Sequence, residues 1–269
     1  MTNCHLLFIT WKNYDKIGKN KMEGEKMEIT SLTNAKVKQW VKYKEKKHRD
    51  ADQMFLIEGE HLLKEAKESN LINCIIIEKG KENPYPEYDT YVVTKEILKK
   101  IAHSVSGNWI MAVCHYPTHA TNDSDKIVML DGVQDPGNVG TILRSAHSFS
   151  YDTIILSKDS VDVFNDKVIR STQGALFHMN IVRCDLLDKI HELKDEGYFI
   201  YGTSLHEAKP LQEITPVAKH VLIMGNEGQG VSADVLALSN QNIYIEMDTF
   251  ESLNVAVAAG ICMYTLKTK

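Results

Sequence analysis

No apolar run in this sequence approaches the roughly 18 residues that a membrane-crossing helix requires. The longest candidate, "NVAVAAGICMYTL" from Asn254 to Leu266, has the length of a buried core helix. Near the start, "HLLFIT" is short and no small-residue cleavage site follows it, so a secretory leader is not expected. Cysteine is sparse: Cys4, Cys74, Cys114, Cys184 and Cys262 are odd in number, scattered, and include no CxxC pair. That argues against a disulfide framework and a structural zinc site, and makes a reducing cytoplasm the expected compartment. Histidine–cysteine and histidine–serine dyads of obvious spacing are missing, as is a metal-ligand cluster, so no metal is expected. GxGxxG is missing too, which removes the dinucleotide fingerprint, and there is no P-loop. Positive charge is in deficit, with 31 Lys and Arg against 36 Asp and Glu and a net charge of -5. Taken alone, that balance disfavours a nucleic-acid partner.

What is present fits a soluble α/β protein. The 269 residues suffice for one large domain or two modest ones, and 43% hydrophobic with 25% charged residues is ordinary for a globular chain. The charge is unevenly placed. "AKVKQWVKYKEKKHR" from Ala35 to Arg49 carries Lys36, Lys38, Lys42 and Arg49 among seven cations against the single Glu45. A solvated helix face is the ordinary reading of such a run; a phosphate-contacting patch is the alternative.

Four segments follow from composition and periodicity. Residues 1–26 are polar and lack a clear period, and are expected to be a disordered extension. Residues 27–116 alternate short β-branched strands with helices, including one helix over Asn34–Arg49. Residues 117–125, "PTHATNDSD", read as a linker. Residues 126–269 alternate apolar strands with helices, the pattern of a mainly parallel sheet covered on both faces. Ligands on such sheets bind beyond the carboxyl ends of the strands.

Three strand ends carry polar or glycine-rich loops. After "KIVML" comes "DGVQDPGNVGTILRSA", in which Asn138 can cap a helix that carries Arg144 two turns on. A surface arginine is the bland reading of Arg144. After "HVLIM" comes "GNEGQGVS", whose glycines allow close backbone approach to a ligand and which contains Glu227. After "NIYIEM" comes "DTFESLNVAVAAG", where Ser252 or Asn254 can cap a helix so apolar that it reads as buried all round, by the sheet on one side and a partner subunit on the other. A glycine-rich, weakly charged site formed by these loops suits a backbone grip on an adenosine-like cofactor.

These three stretches, in this order, resemble the motifs of the SpoU (TrmH-like) RNA 2'-O-ribose methyltransferases of the SPOUT superfamily. Residues 27–116, notably "FLIEGEHLLKEA", resemble the small RNA substrate-binding domain that often precedes them. Glu246 stands where a proline is common and Ala256 where a serine is common. The resemblance implies a C-terminal trefoil knot, a homodimer, and S-adenosylmethionine bound in the knot by Gly225, Ile245 and Leu253, with Thr203 and Leu205 lining the same pocket. It also implies that Arg144 is catalytic, with Glu227 orienting it or accepting a proton, and that Asn138, Ser252 and Asn254 fix the loops and the ribose. The implied substrate is 23S ribosomal RNA. Transfer RNA, a resistance-conferring ribosomal RNA methylation and a non-catalytic RNA-binding role are the alternatives, and no membrane association is expected.

Overall fold

Two sheets share a hydrophobic core in the computed structural model, which describes residues 24–104, 107–117, 124–249 and 252–267. Most of the expected extension and of the expected linker lies outside the described residues. Gly24 to Lys26 do not, and they belong to the fold: β1 runs Lys26–Ile29, and Glu25 accepts from the Thr90 amide at 2.7 Å. The boundary expected at residue 27 therefore falls inside a strand.

The first sheet continues with β2 (Met54–Glu58), β3 (Ile72–Glu78), β4 (Thr90–Val93) and β5 (Ile110–His115), in the order β1-β4-β3-β5-β2. β5 runs antiparallel to both β2 and β3. Its helices are α1 (Ala35–Lys42), α2 (Lys46–Asp52), α3 (Glu60–Glu68) and α4 (Lys95–Ile101). The expected single helix over Asn34–Arg49 is thus two. Asn34 caps the first, accepting from Lys36 N at 2.8 Å, and the chain turns at Tyr43 to Glu45 because the Tyr43 ring is drawn into the core.

The second sheet is parallel throughout. It contains β6 (Lys126–Asp131), β7 (Thr153–Leu156), β8 (Asn180–Arg183), β9 (Phe199–Thr203), β10 (Lys209–Pro210), β11 (His220–Gly225) and β12 (Gln241–Tyr244), ordered β10-β12-β9-β11-β6-β7-β8. The helices are α5 (Pro136–Ser148), α6 (Asp166–Thr172), α7 (Leu186–Asp195), α8 (Ala233–Ala237) and α9 (Val255–Leu266). Alternation sorts the strand side chains between two layers. Val128, Leu130, Ile154, Leu222 and Met224 pack with α5 and α9, while Ile127, Met129, Ile155, Val221 and Ile223 pack with α7 and α8. No described helix is long and apolar enough to cross a membrane.

The two units meet through the layer that holds α3, β2 and α6. Phe164 stacks on Tyr116 with ring centroids 3.8 Å apart and lies 5.0 Å from Phe55. Arg49 is among the residues expected to touch RNA, but it is 4% exposed. Its guanidinium pairs with Asp162 of the second unit and donates to the Tyr43 carbonyl at 2.6 Å. A charge so buried is held by a partner or not tolerated. Arg49 is therefore a structural tie between the units and not a phosphate contact. Lys36, Lys38 and Lys42 remain exposed.

Removing one partner of a buried ion pair strands the other. Arg49→Met is expected to lower the unfolding free energy by about 3–5 kcal/mol, whereas Lys38→Met should stay within about 0.5 kcal/mol. Urea denaturation measures both, and equal small effects would return Arg49 to the solvated patch.

Candidate active site

Pro136 opens α5, where its missing amide costs nothing. Its cap is Asp135, whose carboxylate accepts from Asn138 N at 2.9 Å. The cap therefore lies three residues before the Asn138 expected for it. Asn138 sits inside the first turn with its side chain left for other work: Nδ2 donates to Glu227 at 3.0 Å, and Oδ1 accepts from Asn254 Nδ2 at 2.9 Å. Asn254 is the cap of α9, accepting from the amides of Ala256 and Val257. Three residues expected to act together, Asn138, Glu227 and Asn254, are thus joined in one hydrogen-bonded chain across all three loops.

Among the described residues, no hydrogen bond or ion pair joins Glu227 to Arg144. Its carboxylate accepts from Gln134 N at 3.3 Å, Asp135 N at 3.1 Å and Asn138 Nδ2. Partial burial raises its pKa, but the hydrogen bonds from the Asn138 side chain and from the amides of Asp135, Glu227 and Gln134 outweigh that. The group is held below the usual carboxylate range. These bonds fasten the loop after β11 to the loop after β6.

Arg144 lies on the exposed side of α5 in one stripe with Gly137 and Thr141. Among the described residues, no side-chain partner meets its guanidinium. α9 crosses α5 beside it, where a side chain on Gly260 would come 3.9 Å from Ser145 Oγ. Five donors in open space beside a helix crossing can meet an anionic or oxygen-rich ligand.

The glycines after β11 close the loop upon itself. Asn226 and Gly230 exchange backbone hydrogen bonds at 2.9 and 3.0 Å, and Gly230 takes φ +71°, open to glycine without strain. A Cβ on Gly225 would lie 2.1 Å from the Gly230 carbonyl carbon and the Val231 nitrogen. The close approach expected toward a ligand is made instead to the chain's own backbone, and Gly225 does not line the cavity.

That cavity, of about 220 Å³, opens beyond β9 and β12. Its walls are Thr203, Ser204, Leu205, Gly230, Ile243, Tyr244, Ile245, Met247, Ser252, Leu253, Ala258 and Cys262. Thr203, Leu205, Ile245, Ser252 and Leu253, all expected at a site, are among them. Leu205 and Leu253 are 61% and 39% exposed, an apolar pair at the mouth. Burial pushes the Cys262 thiol up to about 12, so it forms a neutral wall and not a nucleophile. Sequence reasoning missed Ser204, Ile243, Tyr244, Met247, Ala258 and Cys262. Two periods could have found four of these: Ile243, Ile245 and Met247 alternate along extended chain, and Asn254, Ala258 and Cys262 share one face of α9.

Within the chain itself α9 is covered on one side: Val255, Ala256, Ala259, Cys262, Met263 and Leu266 are buried, while Val257, Ile261 and Tyr264 form a stripe that is 52%, 38% and 59% exposed.

Residues 125–264 match the model of the SpoU rRNA Methylase family, and residues 34–112 match the MRM3-like substrate binding domain. The chain is 40% identical over 245 residues to the 23S rRNA (guanosine(2553)-2'-O)-methyltransferase RlmP of Bacillus subtilis, covering 89% of this chain and 99% of that one. It is 32% identical to an uncharacterized tRNA/rRNA methyltransferase of Synechocystis, over 88% of this chain and 92% of that one. Among solved structures, the AdoMet-bound rRNA methyltransferase of Sinorhizobium meliloti superposes with a TM-score of 0.79 at 27% identity, over 90% of this chain and 98% of that one. A TrmH-family RNA methyltransferase from Porphyromonas gingivalis gives 0.77 at 28% identity, over 88% and 99%.

The stability that Glu227 contributes should be fully present above the ordinary carboxylate pKa of about 4.3. It should be lost as pH falls through the lower folded value. Glu227→Gln is expected to be less stable than the wild type at neutral pH, and the gap should narrow as pH falls below the ordinary carboxylate value of about 4.3. Thermal unfolding across pH reads this, and a gap independent of pH would remove the charge from the account.

Proposed function

The chain belongs to the SpoU rRNA Methylase family, and from that premise we propose that it transfers a methyl group from S-adenosylmethionine to a ribose 2'-hydroxyl of 23S ribosomal RNA. The observation that carries the proposal is the convergence of the three motif loops, tied by Asn138, Glu227 and Asn254, beside an apolar cavity rimmed by chain segments at three strand ends. The 40% identity to RlmP over nearly its whole length supports a guanosine of 23S ribosomal RNA as the substrate.

The cavity fits the cofactor in kind. Leu205 and Leu253 flank its mouth as an apolar slot for a flat base, Ile245 and Leu253 offer backbone at its rim, and Gly225 acts indirectly by letting the loop close. The cofactor supplies an electrophilic methyl group, so the protein's task is alignment and charge placement. Arg144 does this by holding the ribose and its neighbouring phosphate and stabilising negative charge as it develops on the oxygen. A guanidinium hardly deprotonates in proteins, so Arg144 is not the base. Ser252 contributes a hydroxyl at the cavity wall, and Asn138 and Asn254 set the distance between cavity and Arg144.

The rest of the chain completes this reading. Residues 27–116, extended at the start to include β1, form the substrate unit, with Lys36, Lys38 and Lys42 meeting phosphates. Residues 117–125 connect it to the methyltransferase unit at 126–269, whose C-terminal segment follows the family's trefoil knot. The exposed α9 stripe of Val257, Ile261 and Tyr264 is where a second copy packs, making a homodimer. The working compartment is the cytoplasm.

Incubating the protein with labelled cofactor and total RNA, then mapping the methylated ribose, tests the substrate; label confined to transfer RNA would overturn the ribosomal assignment. Arg144→Ala is expected to lower turnover by about 10²–10³-fold while calorimetry finds cofactor binding unchanged. Retained turnover would remove Arg144 from the chemistry. Val257→Glu with Tyr264→Glu should halve the mass seen by sedimentation.

A further inference from the structure

The junction of the two units holds a set of side chains that methyl transfer does not use. Glu65 and Glu68 stand one turn apart on α3, and His178 ends a short 3₁₀ turn of the second unit, over a hundred residues away. One ligand atom from each lies within 4.8 Å of the other two. His178 Nε2 is 2.9 Å from Glu65 Oε2, and Nδ1 is 3.4 Å from Ser69 Oγ. The neighbouring cation does not answer the carboxylates: Lys67 turns away to Glu87, at 2.6 Å. Among the described residues, no lysine or arginine pairs with Glu65 or Glu68. A second imidazole, His147 of α5, stacks on His178 with ring centroids 5.2 Å apart and planes inclined by 15°. Two carboxylates and an imidazole thus meet, with no lysine or arginine between them, at a boundary where the chain comes together from two sides.

We propose that Glu65, Glu68 and His178 bind a divalent transition metal of the zinc type, as a clip between the two units. One nitrogen with two carboxylate oxygens suits zinc and its neighbours, whereas calcium and magnesium favour oxygen alone. Ligands of a tetrahedral zinc sit about 3.3 Å apart when the bonds are about 2.0–2.1 Å. The Glu65–His178 pair therefore opens by a few tenths of an ångström, and Glu68, which is exposed, swings in. Binding needs the Nε2 lone pair. With the metal on Nε2 the ring carries its proton on Nδ1 and donates it to Ser69 Oγ, the outer contact that fixes the ring. A water takes the fourth position. The site is independent of the methyl-transfer reading, since no wall of the cofactor cavity takes part.

The test uses the full chain stripped with a chelator and titrated with zinc chloride by calorimetry, with thermal unfolding alongside. The expected result is one zinc per chain and a rise in melting temperature that saturates with it. Glu68→Gln leaves the Glu65–His178 hydrogen bond in place and should weaken binding at least tenfold; His178→Gln should abolish it. Ser69→Ala should weaken binding by about 10-fold or more, and His191→Gln, on the exposed side of α7, should titrate as wild type. Cobalt as a spectroscopic probe should give visible bands in the wild type that His178→Gln lacks. Absence of stoichiometric zinc binding, or equal affinity in the wild type and Glu68→Gln, would overturn the proposal.

Discussion

The Glu227 carboxylate gathers the amides of Gln134 and Asp135 and the Asn138 side chain, and Asn138 passes the connection to the cap of α9. Each contact is worth little alone, about 1 kcal/mol net for an exposed hydrogen bond. Their value lies in position. The loop after β6 carries the start of α5 and hence Arg144, the loop after β11 carries Gly230, and the cap of α9 carries Ser252 and Leu253. Without the carboxylate between them, the cavity wall and the arginine would be set by separate loops, free to move separately.

This arrangement also accounts for where the cavity lies. In an open parallel sheet, the natural ligand crevice is where strand order reverses, here between β6 and β11. That crevice is filled by the protein itself. Asn226 Nδ2 donates to the Gly132 carbonyl at 2.8 Å, and Glu227 takes the amides beyond it. Hydrogen bonds thus bridge the two loops at that point, and the cavity walled by Thr203 and Leu253 opens one strand over, beyond β9 and β12.

The small unit is fixed to the large one by more than a linker. A stacked aromatic group around Phe55, Tyr116 and Phe164, the buried Arg49–Asp162 pair and the Glu65–His178 contact hold it in one orientation. Such a junction positions the exposed lysines of α1 relative to Arg144, which a flexible tether would not. Four of the seven cations in the Ala35–Arg49 run lie within or beside α2, and the structure divides the run by direction. Helical periodicity leaves Lys38 and Lys42 outward while Arg49 points to the boundary.

The sequence by itself determined the alternation of strands and helices, the parallel sheet, the three motif loops and the residues Thr203, Leu205, Ile245, Ser252 and Leu253 at the cavity. Local propensity, apolar periodicity and motif order are short-range properties, and a chain carries them in its own order. The Asp135 cap is local too, an aspartate directly before a helix-opening proline. Tertiary structure decided the rest. That Glu227 faces Asn138, that Gly225 meets Gly230 and that Arg49 is buried against Asp162 are pairings made across space, over as many as 113 residues, and no local pattern encodes them. The exposed stripe on α9 follows the same rule: its composition is apolar on every side, and only the packed fold settles which side the chain itself covers.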